Sequence, residues 1–186
     1  GHKVTIFEAS SRTGGKCRTE WIGRYAFDTG PSLLTLPAVY RDFFQRTGDV
    51  MGRVLEIEEV SPSFDYRFHD GKSVQFANLS RKKTLAAIEE SLGADAASEW
   101  DRVMVQAEAM WDVSREPFIE SELKSPLSLL KRPRLLRDLK TISPWKSLRG
   151  IGIQNPYLAK IMDRYGTYSG SDPRVAPAVL STIAFV

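Results

Sequence analysis

The opening residues, GHKVTIFEASSRTGGK, narrow the folds open to this chain more than any other stretch. Residues 3–7 (KVTIF) are rich in β-branched side chains, which pack well on a pleated surface, so they predict a buried strand preceded by Gly1 and His2 as the tail of a turn. Glu8 then places one carboxylate at the end of that strand. Gly14 and Gly15 follow six and seven positions later, flanked by Arg12, Lys16 and Arg18.

Each part of that stretch has a chemical use. A carboxylate can accept hydrogen bonds from both hydroxyls of one sugar, as the acidic residue at the end of the second parallel strand of a dinucleotide fold does. Two residues without Cβ let a phosphate or a ring come close to the backbone, and the cations suit a pyrophosphate. A Glu after a strand and a Gly-Gly in a turn are nevertheless both common, and the spacing alone leaves an ordinary strand and turn open.

Further along, Gly23 marks a turn between short strands and Gly30-Pro31 a sharp stop. Pro37 suits the first turn of a helix with Tyr40, Phe43 and Phe44 on one face and Gly48 at its end. In DYRFHDGKSVQF the period changes to two, setting Tyr66 and Phe68 opposite Val74 and Phe76 around Asp70-Gly71, a hairpin over residues 63–76. Ser80 caps a helix carrying Leu85, Ile88 and Leu92 that Gly93 ends, and a longer helix follows through Trp100, Val103, Met104, Ala107 and Trp111. Helices dominate from there: Pro126 and Pro133 interrupt, Asn155-Pro156 starts one helix and Pro177 another.

With 186 residues, 42% hydrophobic and 26% charged, the composition is that of a soluble chain with enough apolar side chains for a core. Cys17 is the single cysteine, so no internal disulfide exists and a reducing, cytoplasmic setting is expected. No run reaches the roughly 18 apolar residues that cross a bilayer. The chain starts without Met just before a strand and stops at IAFV, which reads as a piece of something longer.

VTIFEASSRTGGKCRTE followed by GRYAFDTGPSLLTLPAVYRDFF resembles the start of the FAD-dependent carotenoid desaturases of the bacterial phytoene desaturase type, within the flavin amine-oxidase superfamily. TYSGSDPRVAPAVLSTIAFV resembles a later segment of the same family, in which a Tyr-x-Gly-x-x-Pro run leads into an Ala-Pro-Ala helix. The resemblance implies an α/β fold: part of an FAD-binding Rossmann-like domain over residues 1–50, an inserted α+β substrate domain of hairpin and helices over 51–165, and a return segment toward the flavin over 166–186. It also implies roles. Glu8 holds the adenosine ribose; Arg12, Gly14, Gly15 and Lys16 line the pyrophosphate and flavin edge; Asp28, Gly30, Pro31 and Ser32 belong to the DTGPS turn beside the isoalloxazine, with Gly30 letting the ring approach. Relatives often have Arg where Lys16 stands, and Lys keeps the charge without the bidentate fork. The family's first strand with its G-x-G-x-x-G turn, and its carboxy-terminal flavin segment, are expected outside this sequence, so the fragment alone is expected to be inactive.

What such a protein does follows from its cofactor. A desaturase removes two hydrogens from a C–C bond, which side chains do not do alone, so the resemblance implies FAD, a lipophilic polyene substrate and hydride transfer to the flavin. Close alternatives are oxidation of an amine, a retinoid or a carotenoid end group; a further one is a lipid-binding escort chaperone without redox chemistry, against which the glycine pair and DTGPS count. No catalytic acid or base stands out. His2 and His69, one at the terminus and one in a hairpin turn, give a triad or metal site little support, and Cys17 reads as a small buried thiol. Asp95, Glu99, Asp101, Glu108 and Asp112 have helical spacing and read mostly as a solvated face.

Charge is unevenly spread. Residues 124–149 carry eight cations against Asp138, a local +7 in a chain of net +3, which leaves −4 elsewhere. SPLSLLKRPRLLRDLK alternates leucines with cations, as does a helix lying on an anionic membrane surface; helices with core leucines and exposed cations fit equally well. The first reading gives a peripheral membrane contact. Nucleic acid is disfavoured, because the cations lie among leucines rather than stacking aromatics.

Overall fold

The computed structural model describes residues 2–31, 33–122 and 134–186. It divides into two compact units, Gly1–Ile57 and Glu58–Val186. Both combine helices with a small antiparallel sheet, in keeping with the expected α/β class.

In the first unit, residues 3–7 form no strand, contrary to the sequence reading. The side chains of Val4, Ile6 and Phe7 are exposed, Phe7 by 94%. β-Branched composition favours an extended backbone, but a strand also needs a ladder partner, and none lies beside this segment among the described residues. β1 (Thr19–Ile22) and β2 (Tyr25–Asp28) pair antiparallel, with Ile22 opposite Tyr25 across a Gly23-Arg24 turn. One further bond, from Thr29 N–H to Arg18 C=O at 3.0 Å, extends the ladder past β1 and β2. Helix α1 (Pro37–Thr47) begins with the expected proline and ends at Gly48, whose N–H donates back to Gln45 C=O. Tyr40 and Phe43 on it are exposed, and Met51 is the buried residue of this unit among those described.

The second unit has a packed core. β3 (Phe64–Arg67) pairs with β4 (Ser73–Phe76), with Tyr66 opposite Val74 as expected. Phe76 lies opposite Phe64, however, and Phe68 bonds across to Lys72, because partners in an antiparallel pair run in opposite directions: with Tyr66 facing Val74, the residue two places later meets the one two places earlier, and His69 to Gly71 form the loop. His69 is an exposed turn residue, as read. Ser80 Oγ caps α2 (Arg81–Leu92) by accepting from Lys83 N–H, and α3 (Ala94–Ser114) follows Gly93. Trp100, Val103, Met104 and Ala107 recur at three- and four-residue steps and are all buried, forming the stripe that packs against Phe76 and Ile88. Pro117 lacks the N–H that would continue the α ladder, and Arg115–Glu120 winds into a wider π turn.

Helix α4 (Leu135–Ile142), a 3₁₀ turn Leu148–Ile151 and α5 (Pro156–Thr167) complete the layer, and a 3₁₀ turn Ala178–Ser181 leads into α6 (Thr182–Phe185). Asn155 Oδ1 caps α5 by accepting from Tyr157 and Leu158 N–H. The carboxylates of α3 are more than a wetted face. Glu99 accepts from the N–H groups of Gln154 and Asn155 at 2.8 and 2.9 Å, fixing the approach to α5, while Asp101 and Glu108 pair with Arg81 of α2. Most of the leucine-and-cation run, residues 123–133, lies outside the described residues; on α4, Arg137 and Lys140 are exposed and Ile142 is buried.

Leu158, fully buried on α5, carries a clear test. Leu158→Ala should cost about 2–5 kcal/mol in urea unfolding, whereas Val175→Ala, at a site 76% exposed, should stay within about 0.5 kcal/mol.

Candidate cofactor site

Residues 8 to 18 fold back on themselves through local hydrogen bonds. Ser10 N–H donates to Glu8 Oε1 at 2.8 Å. The Ser10 hydroxyl lies 2.8 Å from the same oxygen and 2.6 Å from Arg12 C=O, so its single proton serves one of them at a time. Ser10's N–H, and after it the hydroxyl, hold the Glu8 carboxyl below its ordinary range, so Glu8 is a carboxylate at neutral pH. Both bonds use Oε1, which leaves a carboxylate with further acceptor capacity.

The glycine pair forms a turn closed by Cys17 N–H donating to Gly14 C=O at 3.0 Å. Gly15 has a φ of +57°, which L side chains adopt only with strain, and a Cβ there would meet nothing within 4 Å. Its backbone therefore faces open space. The turn also places Cys17 at the surface, correcting the expectation of a buried thiol: its backbone, not its side chain, is what packs inward.

A hollow of about 580 Å³ lies beside this turn. Glu8 and Ser10 line it together with Gly15, Lys16 and Arg18, and Thr29, Gly30 and Pro31 complete the wall. Of the residues singled out from sequence, Glu8, Gly15, Lys16, Gly30 and Pro31 are thus brought together. Arg12, Gly14 and Asp28 are not on its wall; Asp28 accepts a hydrogen bond from the Thr19 hydroxyl instead, and Ser32 lies outside the described residues. Ser10 was missed, and Thr29, although inside the DTGPS turn, was given no role of its own. A hydroxyl two residues after a carboxylate is a local capping pattern and was the available signal for Ser10.

Chemically, the hollow offers a carboxylate acceptor at one side, bare backbone at Gly15, and the cations Lys16 and Arg18, the latter also paired with Glu20. That donor and acceptor set fits a nucleotide with a sugar and phosphates.

The second unit holds a different polar cluster. Arg164 on α5 sits 4.2 Å from the Phe64 ring centre and donates to the hydroxyls of Tyr66 at 2.9 Å and Tyr168 at 3.0 Å. Burial pushes the neighbouring Tyr165 hydroxyl well above its ordinary range. The Tyr157 hydroxyl donates to Asp70 at the hairpin tip. These contacts tie β3 and its loop to α5.

The profile of the flavin-containing amine oxidoreductase family matches residues 1–176. The chain belongs to that family. The resemblance read from the two motif blocks is therefore borne out, and the family is one of flavin-containing oxidoreductases. A phytoene dehydrogenase of Streptomyces griseus is 29% identical over the whole chain, and a 4,4'-diapophytoene desaturase (4,4'-diaponeurosporene-forming) of Staphylococcus haemolyticus is 26% identical. A 4,4'-diapolycopene oxygenase of a Methylomonas species is 25% identical. The chain spans 37% to 38% of the length of these relatives.

The Glu8–Ser10 contact has a pH signature. Because the folded-state pKa is depressed, the contact is present above the unfolded value and is lost as pH falls through the folded one. An NMR titration should place the Glu8 midpoint below 4.5, and Ser10→Ala, which removes the hydroxyl but keeps the N–H, should move it part of the way back; an unchanged midpoint would show that the hydroxyl takes no part in holding the charge.

Proposed function

We propose that this chain belongs to an FAD-dependent oxidoreductase that desaturates or isomerises a carotenoid-type polyene. The observation that carries the proposal is the meeting of Glu8, Gly15 and Lys16 on one hollow. In this reading Glu8 accepts from the adenosine ribose, the bare backbone of Gly15 and the Lys16 ammonium receive the pyrophosphate, and Gly30 and Pro31 stand toward the isoalloxazine. Arg12, Gly14, Asp28 and Ser32 flank that set in sequence and complete the proposed binding segment.

Residues 1–50 are then part of a Rossmann-like FAD-binding domain, 51–165 a substrate domain, and 166–186 the start of the return toward the flavin. When bound, the flavin would supply the two-electron redox chemistry that side chains lack. The chain's own residues bind and orient: Glu8 is held ionised by Ser10 and so acts as an acceptor rather than an acid, while Lys16 and Arg18 balance phosphate charge. The names of the desaturase relatives favour a lipophilic polyene as substrate.

A second reading, oxygenation of a carotenoid end group, is favoured by the relative named as a diapolycopene oxygenase. Mass analysis of polyene products separates the two: loss of hydrogen alone supports desaturation, gain of oxygen supports the rival.

The cationic segment 124–149 is proposed to meet an anionic bilayer where such a substrate dissolves, although much of it lies outside the described residues; no helix among the described residues is long and apolar enough to cross a membrane. Replacing Lys131, Arg132, Arg134 and Arg137 with Gln should reduce sedimentation with anionic liposomes several-fold, and unchanged partitioning would favour a plain surface helix.

For the flavin, Glu8→Ala in the complete protein should weaken FAD retention about tenfold on dialysis, the loss of roughly one charge-assisted hydrogen bond, with the far-ultraviolet circular dichroism unchanged. Full flavin occupancy in that variant would count against the role given to Glu8.

A further inference from the structure

We infer that Gly30 is a positioning residue for Lys16, setting where the Lys16 ammonium stands in the hollow by yielding the space of its missing Cβ to the backbone of residues 16 and 17. The inference rests on the flavin-site reading and deepens it.

A Cβ on Gly30 would lie 2.3 Å from the Lys16 carbonyl oxygen, 2.9 Å from Cys17 Cα and 3.1 Å from the Lys16 carbonyl carbon. All three atoms are backbone, so no side-chain rotation relieves the overlap. Gly30 is also not in the left-handed region, which leaves the close approach, rather than backbone freedom, as the reason for glycine. Gly15 is the opposite case, with positive φ and open space in front of it. The two glycines of one hollow thus do different work: Gly15 leaves backbone bare toward a ligand, and Gly30 lets two pieces of the chain touch.

That contact has fixed ends. On the Gly30 side, Thr29 is tied to Arg18 C=O by its N–H at 3.0 Å and its hydroxyl at 3.1 Å, and Pro31 disfavours the helical region for Gly30. On the other side, the turn is closed by the bond from Cys17 to Gly14. Lys16 lies inside that turn, one residue before Cys17 and two before the tied Arg18, and its carbonyl is seated on Gly30. A methyl group at position 30 must push the turn away from the hairpin end and carry the Lys16 side chain with it.

Three variants of the complete protein test this: Gly30→Ala, Lys16→Gln and the double change. Each is read by FAD dissociation constant and by the rate at which a thiol reagent labels the exposed Cys17. Gly30→Ala should weaken FAD about tenfold and change the Cys17 labelling rate in the flavin-free protein several-fold. Lys16→Gln should weaken FAD similarly but leave labelling unchanged, and the double variant should lose no more than about twofold beyond either single one, because Gly30 acts through Lys16. Additive losses, or an unchanged labelling rate in Gly30→Ala, would overturn the inference while leaving the flavin site in place. No effect of Lys16→Gln on FAD would remove Lys16 from the flavin site itself and the inference with it. Should Gly30→Ala not fold, hydrogen exchange in the wild-type protein decides. The Cys17 and Thr29 amides should stay protected after FAD is stripped, whereas loss of that protection would show that the ligand, and not Gly30, sets the turn.

Discussion

The seating of the Lys16 carbonyl on Gly30 is the contact on which the candidate site depends. The first unit buries Met51 and little else among its described residues, so hydrophobic packing does not hold its loops in place. What orders them is local: a carboxylate bonded to Ser10, a glycine turn closed by Cys17, and a hairpin end tied through Thr29. Between the glycine turn and the hairpin end, a backbone-to-backbone approach that excludes any Cβ joins the two.

The second unit is built by the opposite physics. Its order comes from an apolar stripe on α3 meeting Phe76, Ile88 and Leu158, and its long-range polar contacts are anchored at fixed points of that core. Glu99 holding the approach to α5, and Arg164 set among Phe64, Tyr66 and Tyr168, join segments far apart in sequence. The first unit instead gathers hydrogen-bonding groups around the hollow beside Gly15.

Much of the local structure was legible in the sequence. Pro37 and Gly48 bracket α1, Ser80 and Gly93 bracket α2, Asn155-Pro156 opens α5, and the two hairpins lie where Gly23 and Asp70-Gly71 mark them. These are signals set by one or two residues and their own backbone. Features that depend on partners were not legible. Residues 3–7 have the composition of a strand but find no ladder partner among the described residues, Phe68 meets Lys72 rather than Phe76 because the strands run antiparallel, and Glu99 looked like part of a solvated face until the approach to α5 came against it. In the site, the carboxylate and the glycine turn were visible because their chemistry is in their side chains or the absence of one. The packing of Gly30 on residues 16 and 17 was invisible, since a backbone contact leaves no trace in residue type beyond the glycine itself.

A crystal structure of the complete protein with FAD bound tests the central claim most directly. The adenosine ribose should lie within hydrogen-bonding distance of the Glu8 carboxylate, with phosphate oxygens beside Gly15 and Lys16. FAD bound elsewhere, with the hollow between Glu8 and Gly15 left to solvent, would contradict it.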